Sequence, residues 1–155
     1  MVTRATAIRA CEKRDLGHFR ALGSEQHVEY CRQQYARGAN ALTILVAVDE
    51  DDVPVGKLHL DFETRARQRD AVLIAAAVRP ELQSRGIGTA LMAAAEELTC
   101  SRGCDAIVLG VEDWNPRARR LYERLGYAAI ARDDFKYLGA PVPNPGVWMR
   151  KELAC

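Results

Sequence analysis

The chain of 155 residues is 48% hydrophobic and 28% charged, which is the composition of a globular protein and the length of one domain. Its formal net charge of +1 gives no electrostatic reason to expect a nucleic-acid partner, and its apolar runs are too short to span a membrane. The sequence therefore predicts a single domain over residues 1–155, with neither nucleic acid nor membrane among its partners.

The cysteines and histidines predict reduced thiols and no metal. The five cysteines are Cys11, Cys31, Cys100, Cys104 and Cys155. An odd, scattered set of this kind, behind an N-terminus without an apolar signal segment, predicts a cytoplasmic protein without disulfides. Because the three histidines are dispersed and no second ligand pair accompanies the cysteines, we expect no metal site.

The first part of the chain predicts a strand, two helices and two further strands. A short strand at residues 5–10 precedes a helix that starts near Asp15, and Ser24 is a suitable N-cap for a second helix. Runs at 42–48 and 57–63 predict antiparallel strands, because the segment between them is rich in turn-forming residues.

The strand at 57–63 alternates between apolar and polar side chains. Its polar members are Lys57, His59, Asp61 and Glu63. A period of two predicts a sheet with one buried face, so this polar row is expected to face solvent rather than to carry chemistry.

The rest of the chain predicts a parallel crossover and the end of the sheet. The elements are a buried strand, a helix, a second buried strand, a helix and two closing strands, at 71–78, 84–99, 106–111, 115–126, 127–131 and 147–151. The predicted fold class is α/β (α+β): a mixed, mostly antiparallel sheet of about seven strands, with a central parallel pair and about four flanking helices.

A glycine-rich loop at residues 83–91 leads into the predicted helix at 84–99. Gly86 and Gly88 let backbone amides approach a ligand closely, and the first turn of a helix offers N–H groups without partners. These donors and the helix dipole favour a phosphate or pyrophosphate, and Arg85 adds charge. The loop is neither a dinucleotide fingerprint, since Leu91 replaces the third small residue, nor a P-loop, which needs Gly-Lys-Ser/Thr.

Two segments resemble the motifs of the GNAT superfamily of N-acetyltransferases. Residues 78–91 (VRPELQSRGIGTAL) are similar to its pyrophosphate-binding motif, and residues 115–127 (NPRARRLYERLGY) to its second motif. The order of elements agrees over nearly the whole chain, while the residues before Ala71 match in architecture alone. The resemblance implies acetyl-CoA as donor, a primary amine as acceptor, and a central parallel pair that splays apart.

The resemblance also implies roles for individual residues. Backbone amides would hold the pyrophosphate at Ser84, Arg85, Gly86, Ile87, Gly88 and Thr89. Groups at the strand end would pair with the pantetheine arm and the acetyl carbonyl, at Ala76, Ala77 and Val78. Asn115 would contact the pantetheine, and Tyr122 would stand beside the sulfur as the general acid.

Two departures from the family leave the general base open. Members of the family carry a glutamate where this chain has Val72 or Gly110, so the acceptor either loses its proton through water or uses Glu112. We expect direct transfer in a ternary complex, with backbone N–H groups at the oxyanion and no enzyme nucleophile. The alternative function is a non-catalytic module that senses acyl-CoA.

The acceptor is left open between a small-molecule amine and a peptide or protein amine, and the oligomeric state between monomer and homodimer. We expect the acceptor cleft to form from the first helix pair, the strand at 57–63 and the segment containing Phe135, Tyr137 and residues 141–145.

Overall fold

A seven-stranded mixed sheet forms the centre of the protein. The computed structural model describes residues 7–136 and 143–155, so Tyr137, Pro141 and Val142 lie outside the described residues. In chain order the strands are β1 (Ala7–Ala10), β2 (Leu42–Val48), β3 (Pro54–Asp61), β4 (Asp70–Val78), β5 (Ala106–Glu112), β6 (Ala128–Phe135) and β7 (Asn144–Glu152). Their order across the sheet is β1-β2-β3-β4-β5-β7-β6.

Three α-helices and one long 3₁₀ helix cover the sheet. They are α1 (Glu25–Ala36), α2 (Ile87–Ser101), α3 (Pro116–Arg124) and the 3₁₀ helix Lys13–Leu22, with shorter 3₁₀ turns at Ala66–Gln68 and Pro80–Leu82. The predicted caps are confirmed: the Ser24 side chain accepts from the His27 N–H, and the Asn115 side chain accepts from the Ala118 N–H. The fold class, a mixed sheet with four flanking helices in one domain, is confirmed as predicted.

The only parallel pairing in the described sheet joins β4 to β5, and it covers half of β4. The register runs from Asp70 opposite Ala106 to Leu73 opposite Leu109 and then stops, although β4 continues to Val78. The two strands therefore splay apart, as expected, and the last part of β4 has backbone groups that face no partner on β5.

The prediction that the polar row at 57–63 faces solvent is wrong for its first three members and holds for Glu63, which is exposed. Lys57 and His59 are 0% exposed and Asp61 is 6% exposed, because the 3₁₀ helix and α1 pack over this face of the sheet. Asp61 keeps its charge there by accepting hydrogen bonds from the Thr64 and Glu63 amides and pairing with Arg37. Both faces of β3 are therefore buried, although its sequence alternates between apolar and polar residues.

The start of α2 also differs from the prediction. The helix begins at Ile87 rather than near Ser84, since Ser84 and Gly86 have positive φ angles of 63° and 85°. Residues in the left-handed region cannot continue a right-handed helix. The loop therefore turns sharply before the helix, and Gly86 is the N-cap.

The expectation of reduced thiols is wrong for one pair. Cys100, at the end of α2, forms a disulfide with Cys155, with 5.4 Å between the two Cα atoms. The residues are 55 apart in sequence, and the Leu153 N–H bond to the Asp105 carbonyl brings the end of the chain to α2. An odd cysteine count does not exclude one close pair, and the expectation of a cytoplasmic protein loses the support that it took from the thiols.

Within residues 7–136 and 143–155, no helix is both long and apolar enough to cross a bilayer. The same residues contain no group of three or more His, Cys, Asp or Glu side chains arranged to hold a metal ion.

Candidate active site

An open cleft of about 760 Å³ lies where β4 separates from β5. The glycine-rich loop, the start of α2 and the exposed face of α3 form its walls. Ten of the predicted site residues line it: Ala76, Ala77, Val78, Ser84, Gly86, Ile87, Gly88, Thr89, Asn115 and Tyr122. The two segments that carried the family resemblance thus meet in one site, although 23 residues separate them in sequence.

The loop end of the cleft provides donors for an anion. The first hydrogen bond of α2 runs from the Ala90 N–H to the Gly86 carbonyl, so the amides of the turn before Ala90 have no partner within the helix. The positive end of the helix dipole points in the same direction. Gly88 is close to Leu121 across the cleft, with 3.4 Å from the position of an added Cβ to Leu121 Cδ2.

Three arginines on one face of α3 line the same cleft, and sequence reasoning did not assign them. Arg117, Arg120 and Arg124 all border the space in front of the loop. Arg117 donates to Gln83 Oε1 at 2.8 Å and to the Ser84 hydroxyl, and so ties α3 to the loop. The spacing of three and then four residues is the signal that could have found this face. The predicted Arg85 is exposed and is not among the lining residues.

Tyr122 is buried beside the cleft with its hydroxyl available. The side chain is 7% exposed and its ring packs edge-on against Tyr127, with 6.0 Å between centroids. Within the described residues, its hydroxyl makes no hydrogen bond. Burial, and then the charge of Glu112, raise the pKa of Tyr122 to about 12. The phenol therefore carries its proton throughout the neutral range and can donate it.

Glu112 stands at the end of β5, opposite Gly146 of β7, and is not among the residues that line the cleft. The side chain is half-buried, and burial raises the pKa of its carboxyl. A carboxylate with a raised pKa is a better proton acceptor than an exposed one. Its charge reaches the Tyr122 phenol, so the two predicted acid–base groups lie within electrostatic range of each other.

The two positions where the GNAT proteins that this chain resembles carry a glutamate are filled by apolar packing. A Cβ added at Gly110 would lie 2.6 Å from Cε1 of Phe135, so the aromatic ring occupies the space of a side chain at that position. Val72 is 7% exposed and packed within the sheet. The absence of these carboxylates is thus built into the packing of the chain.

Lys57 of β3 also borders the cleft, and sequence reasoning assigned it to solvent. Its Nζ atom donates to the Ala75 carbonyl at 2.6 Å and lies 3.1 Å from His59 Nε2. A buried lysine next to the separation of β4 from β5 could not be found from the alternation of β3, because that pattern looks the same on an exposed strand.

Comparison with known sequences identifies the class of protein. The sequence profile of the Acetyltransferase (GNAT) family matches residues 8–127, which is more than half of the chain. The chain therefore belongs to the GNAT acetyltransferase family, as its two motifs suggested.

Individual relatives are similar over shorter stretches. The thialysine N-epsilon-acetyltransferase of Bos taurus is 41% identical over 49 residues, which are 32% of this chain and 29% of that protein. The mycothiol acetyltransferase of Beutenbergia cavernae is 44% identical over 54 residues, which are 35% of this chain and 18% of that protein. The chain thus matches less than a third of the length of these curated relatives.

Solved structures match the fold over almost the entire chain. The spermidine N-acetyltransferase of Vibrio cholerae, solved in complex with CoA and spermine, superimposes with a TM-score of 0.78 at 20% identity. The superposition covers 96% of this chain and 95% of that chain. At this level of identity the likeness establishes the shared fold.

Proposed function

We propose that this protein transfers an acetyl group from acetyl-CoA to a primary amine, by direct attack within a ternary complex. The observation that carries the proposal is the joining of two features in one cleft: the splayed end of β4 and the glycine-rich start of α2. The first offers free strand groups to a peptide-like arm, and the second offers amides to a pyrophosphate.

The residues of the cleft fit a coenzyme A compound. Free amides of the loop face a site that the arginines of α3 make positive, which suits the pyrophosphate. From there the cleft continues along Ala76, Ala77 and Val78, where strand hydrogen bonds would hold the amides of the pantetheine. Asn115 lies on the opposite wall, where it would contact the same arm. Acetyl-CoA supplies a thioester, whose carbonyl carbon is the electrophile.

Tyr122 is the proposed general acid. As the bond between the amine nitrogen and the carbonyl carbon forms and the C–S bond breaks, Tyr122 would give the proton at Oη to the departing sulfur. Glu112, at the end of β5, is the proposed general base that takes the proton of the amine. Ordered water is the other route for this proton. Backbone N–H groups at the end of β4 would bind the oxygen that becomes negative.

The names of the relatives support an amine as acceptor and leave its size open. One relative is named for the ε-amine of thialysine, and the Vibrio cholerae structure contains spermine. We keep both a small-molecule amine and a peptide or protein amine as acceptor classes for this chain.

Two measurements test the proposal. Coenzyme A and acetyl-CoA should both raise the melting temperature, since a ligand at about one hundred times its dissociation constant stabilises the fold by roughly 2.7 kcal/mol. A panel of small amines, polyamines and peptides should then release free thiol from acetyl-CoA. No shift with either ligand would overturn the binding site. A shift without thiol release from any amine would favour the acyl-CoA sensor.

A further inference from the structure

Lys57 is a cation buried without an acidic partner. Its side chain is 0% exposed and lies beneath the 3₁₀ helix, with Nζ 5.6 Å from the centre of the Phe19 ring. Among the described residues, no carboxylate forms a salt bridge with it. Burying a charge of this kind destabilises the fold, so a lysine in the middle of β3 suggests a functional role.

The shorter of the two hydrogen bonds of Lys57 in the described structure joins it to an irregular point of β4. The register between β3 and β4 shifts between Lys57, which faces Ala77, and His59, which faces Ile74. Ala75 lies within this bulge and has a positive φ of 54°, which is rare for a residue with a Cβ. The 2.6 Å hydrogen bond from Lys57 to the Ala75 carbonyl fixes the peptide group at this point.

That peptide group connects Lys57 to the cleft. The described peptide bonds are all trans, so the N–H of Ala76 points in the direction opposite to the Ala75 carbonyl and away from Lys57. Ala76 lines the cleft and lies beyond the last paired residues of β4 and β5. A hydrogen bond from a cation to a carbonyl makes the N–H of the same amide a stronger donor.

We propose that Lys57 is a positioning residue for acetyl transfer: its ammonium holds and polarises the Ala75–Ala76 peptide, so that the Ala76 N–H binds the thioester oxygen more strongly in the transition state. This inference rests on the proposed function, and it adds a residue outside both recognised motifs. It also explains why the bulge, the positive φ of Ala75 and the buried cation occur together.

Among the described histidines and cysteines that lie close to Lys57, none has a pKa shifted toward neutral pH. On β3 the pKa of His59 is lowered by burial and by the charge of Lys57, and on α1 burial lowers the pKa of His27 to about 4. Burial raises the pKa of Cys31 on α1 and that of Cys11 before the 3₁₀ helix, the latter to about 12. Burial lowers the pKa of Lys57 itself to about 8. Polarisation of the Ala76 N–H should therefore weaken as pH rises through about 8.

The first test is spectroscopic and needs no acceptor. Acetyl-CoA labelled with ¹³C at the carbonyl is bound to the wild type, to Lys57→Met and to the exposed control Lys13→Met. We expect binding to lower the carbonyl stretching frequency in the wild type and in the control, and most of this shift to be lost in Lys57→Met. Lys57→Gln retains a neutral donor and should give an intermediate shift; it also replaces Lys57→Met should that variant fail to fold.

Identical carbonyl frequencies in the wild type and in both Lys57 variants, with all three proteins loaded, would overturn this inference and leave the proposed function intact. Failure of the wild type to bind acetyl-CoA would overturn the proposed function, and the inference with it.

The second test uses turnover. At saturating amine, kcat of the wild type should exceed kcat of Lys57→Met by about tenfold near pH 7. As pH rises well above 8, this ratio should fall to the ratio of Lys57→Gln to Lys57→Met, because neutral Lys57 still donates a hydrogen bond. Ionisation of the amine affects both proteins alike and cancels in the ratio. A ratio that stays constant with pH would show that Lys57 acts only through packing, and would overturn the proposed polarisation.

Discussion

The two faces of the sheet place positive charge in opposite surroundings. On the α2–α3 face, Arg117, Arg120 and Arg124 stand around an open cleft, where water solvates them and an anionic ligand can reach them. On the face covered by α1 and the 3₁₀ helix, Lys57 is enclosed by apolar and neutral groups. The three arginines and Lys57 border the same cleft: the arginines stand at its rim, and Lys57 lies on the covered face of the sheet.

The difference indicates two uses of charge. An exposed arginine costs little stability, contributes mainly by attracting an anion and is weakened by salt. A buried lysine destabilises the fold but acts without screening on the nearest dipole, which here is the Ala75–Ala76 peptide. The rim is therefore suited to capture the donor, and the enclosed cation is suited to act on the reacting group.

Replacing the enclosed cation gives the largest expected effect. The pKa of Lys57 falls from 10.5 to about 8 on folding, so the unfolded chain binds more protons between these values and wild-type stability rises with pH in that window. In Lys57→Met this contribution is absent. At pH below 8, Lys57→Met should be more stable than the wild type. This difference in unfolding free energy should decrease by about 3 kcal/mol as pH rises from below 8 to above 10.5.

Urea unfolding of the two proteins across this range measures the difference, with Lys13→Met as an exposed control that should show no such trend. The tyrosines titrate in all three proteins, so their contributions cancel. Burial raises the pKa of Cys31 and of Cys11 but the charge of Lys57 lowers it, so both cysteines are replaced by alanine in all three proteins. A difference that does not change with pH would mean that Lys57 has an ordinary pKa and that the two faces treat charge alike.

Removing the Tyr122 hydroxyl tests the chemistry of the open face. If Tyr122 protonates the sulfur, Tyr122→Phe should lower turnover by about 10²-fold and leave CoA affinity and melting temperature nearly unchanged. The matched control is Tyr127→Phe, because Tyr127 packs against Tyr122 but bonds to Glu96 instead of facing the cleft. Normal turnover in Tyr122→Phe would assign this ring to packing.

Placing a side chain in the glycine-rich loop should have a smaller effect, which should raise the KM for acetyl-CoA alone. Gly88→Val places methyl groups in the narrow space facing Leu121, so the KM for acetyl-CoA should rise by about tenfold while the KM for the amine stays the same. Gly86→Val should weaken the donor as well, but its φ of 85° adds backbone strain.

Gly17→Val, on the opposite side of the sheet and with open space around the glycine, is the control for the cost of the substitution itself. Equal losses for both substrates in a folded Gly88→Val variant would make the loop structural and would contradict the phosphate assignment.

The sequence predicted the open face far better than the closed one. Gly86, Gly88 and the Asn115 cap could be placed because loops and caps depend on local backbone geometry, which residue type reveals directly. Tyr122 was placed by the resemblance of its segment to a family motif. Lys57 could not, because its burial depends on the packing of α1 and the 3₁₀ helix from another part of the chain. The bond between Cys100 and Cys155 was missed for the same reason: proximity across 55 residues is a property of the fold.

The ring of Phe135 has an evolutionary consequence. It occupies the space over both Gly110 and Gly146, since an added Cβ would lie 2.6 Å from the ring at the first position and 2.7 Å at the second. A glutamate at position 110 therefore requires the Phe135 ring to move or to be replaced. Since the two positions share this space, residues 110 and 135 should covary among relatives, and the effects of their substitutions should be strongly non-additive. The aromatic ring thus fills the space that a carboxylate at position 110 would need.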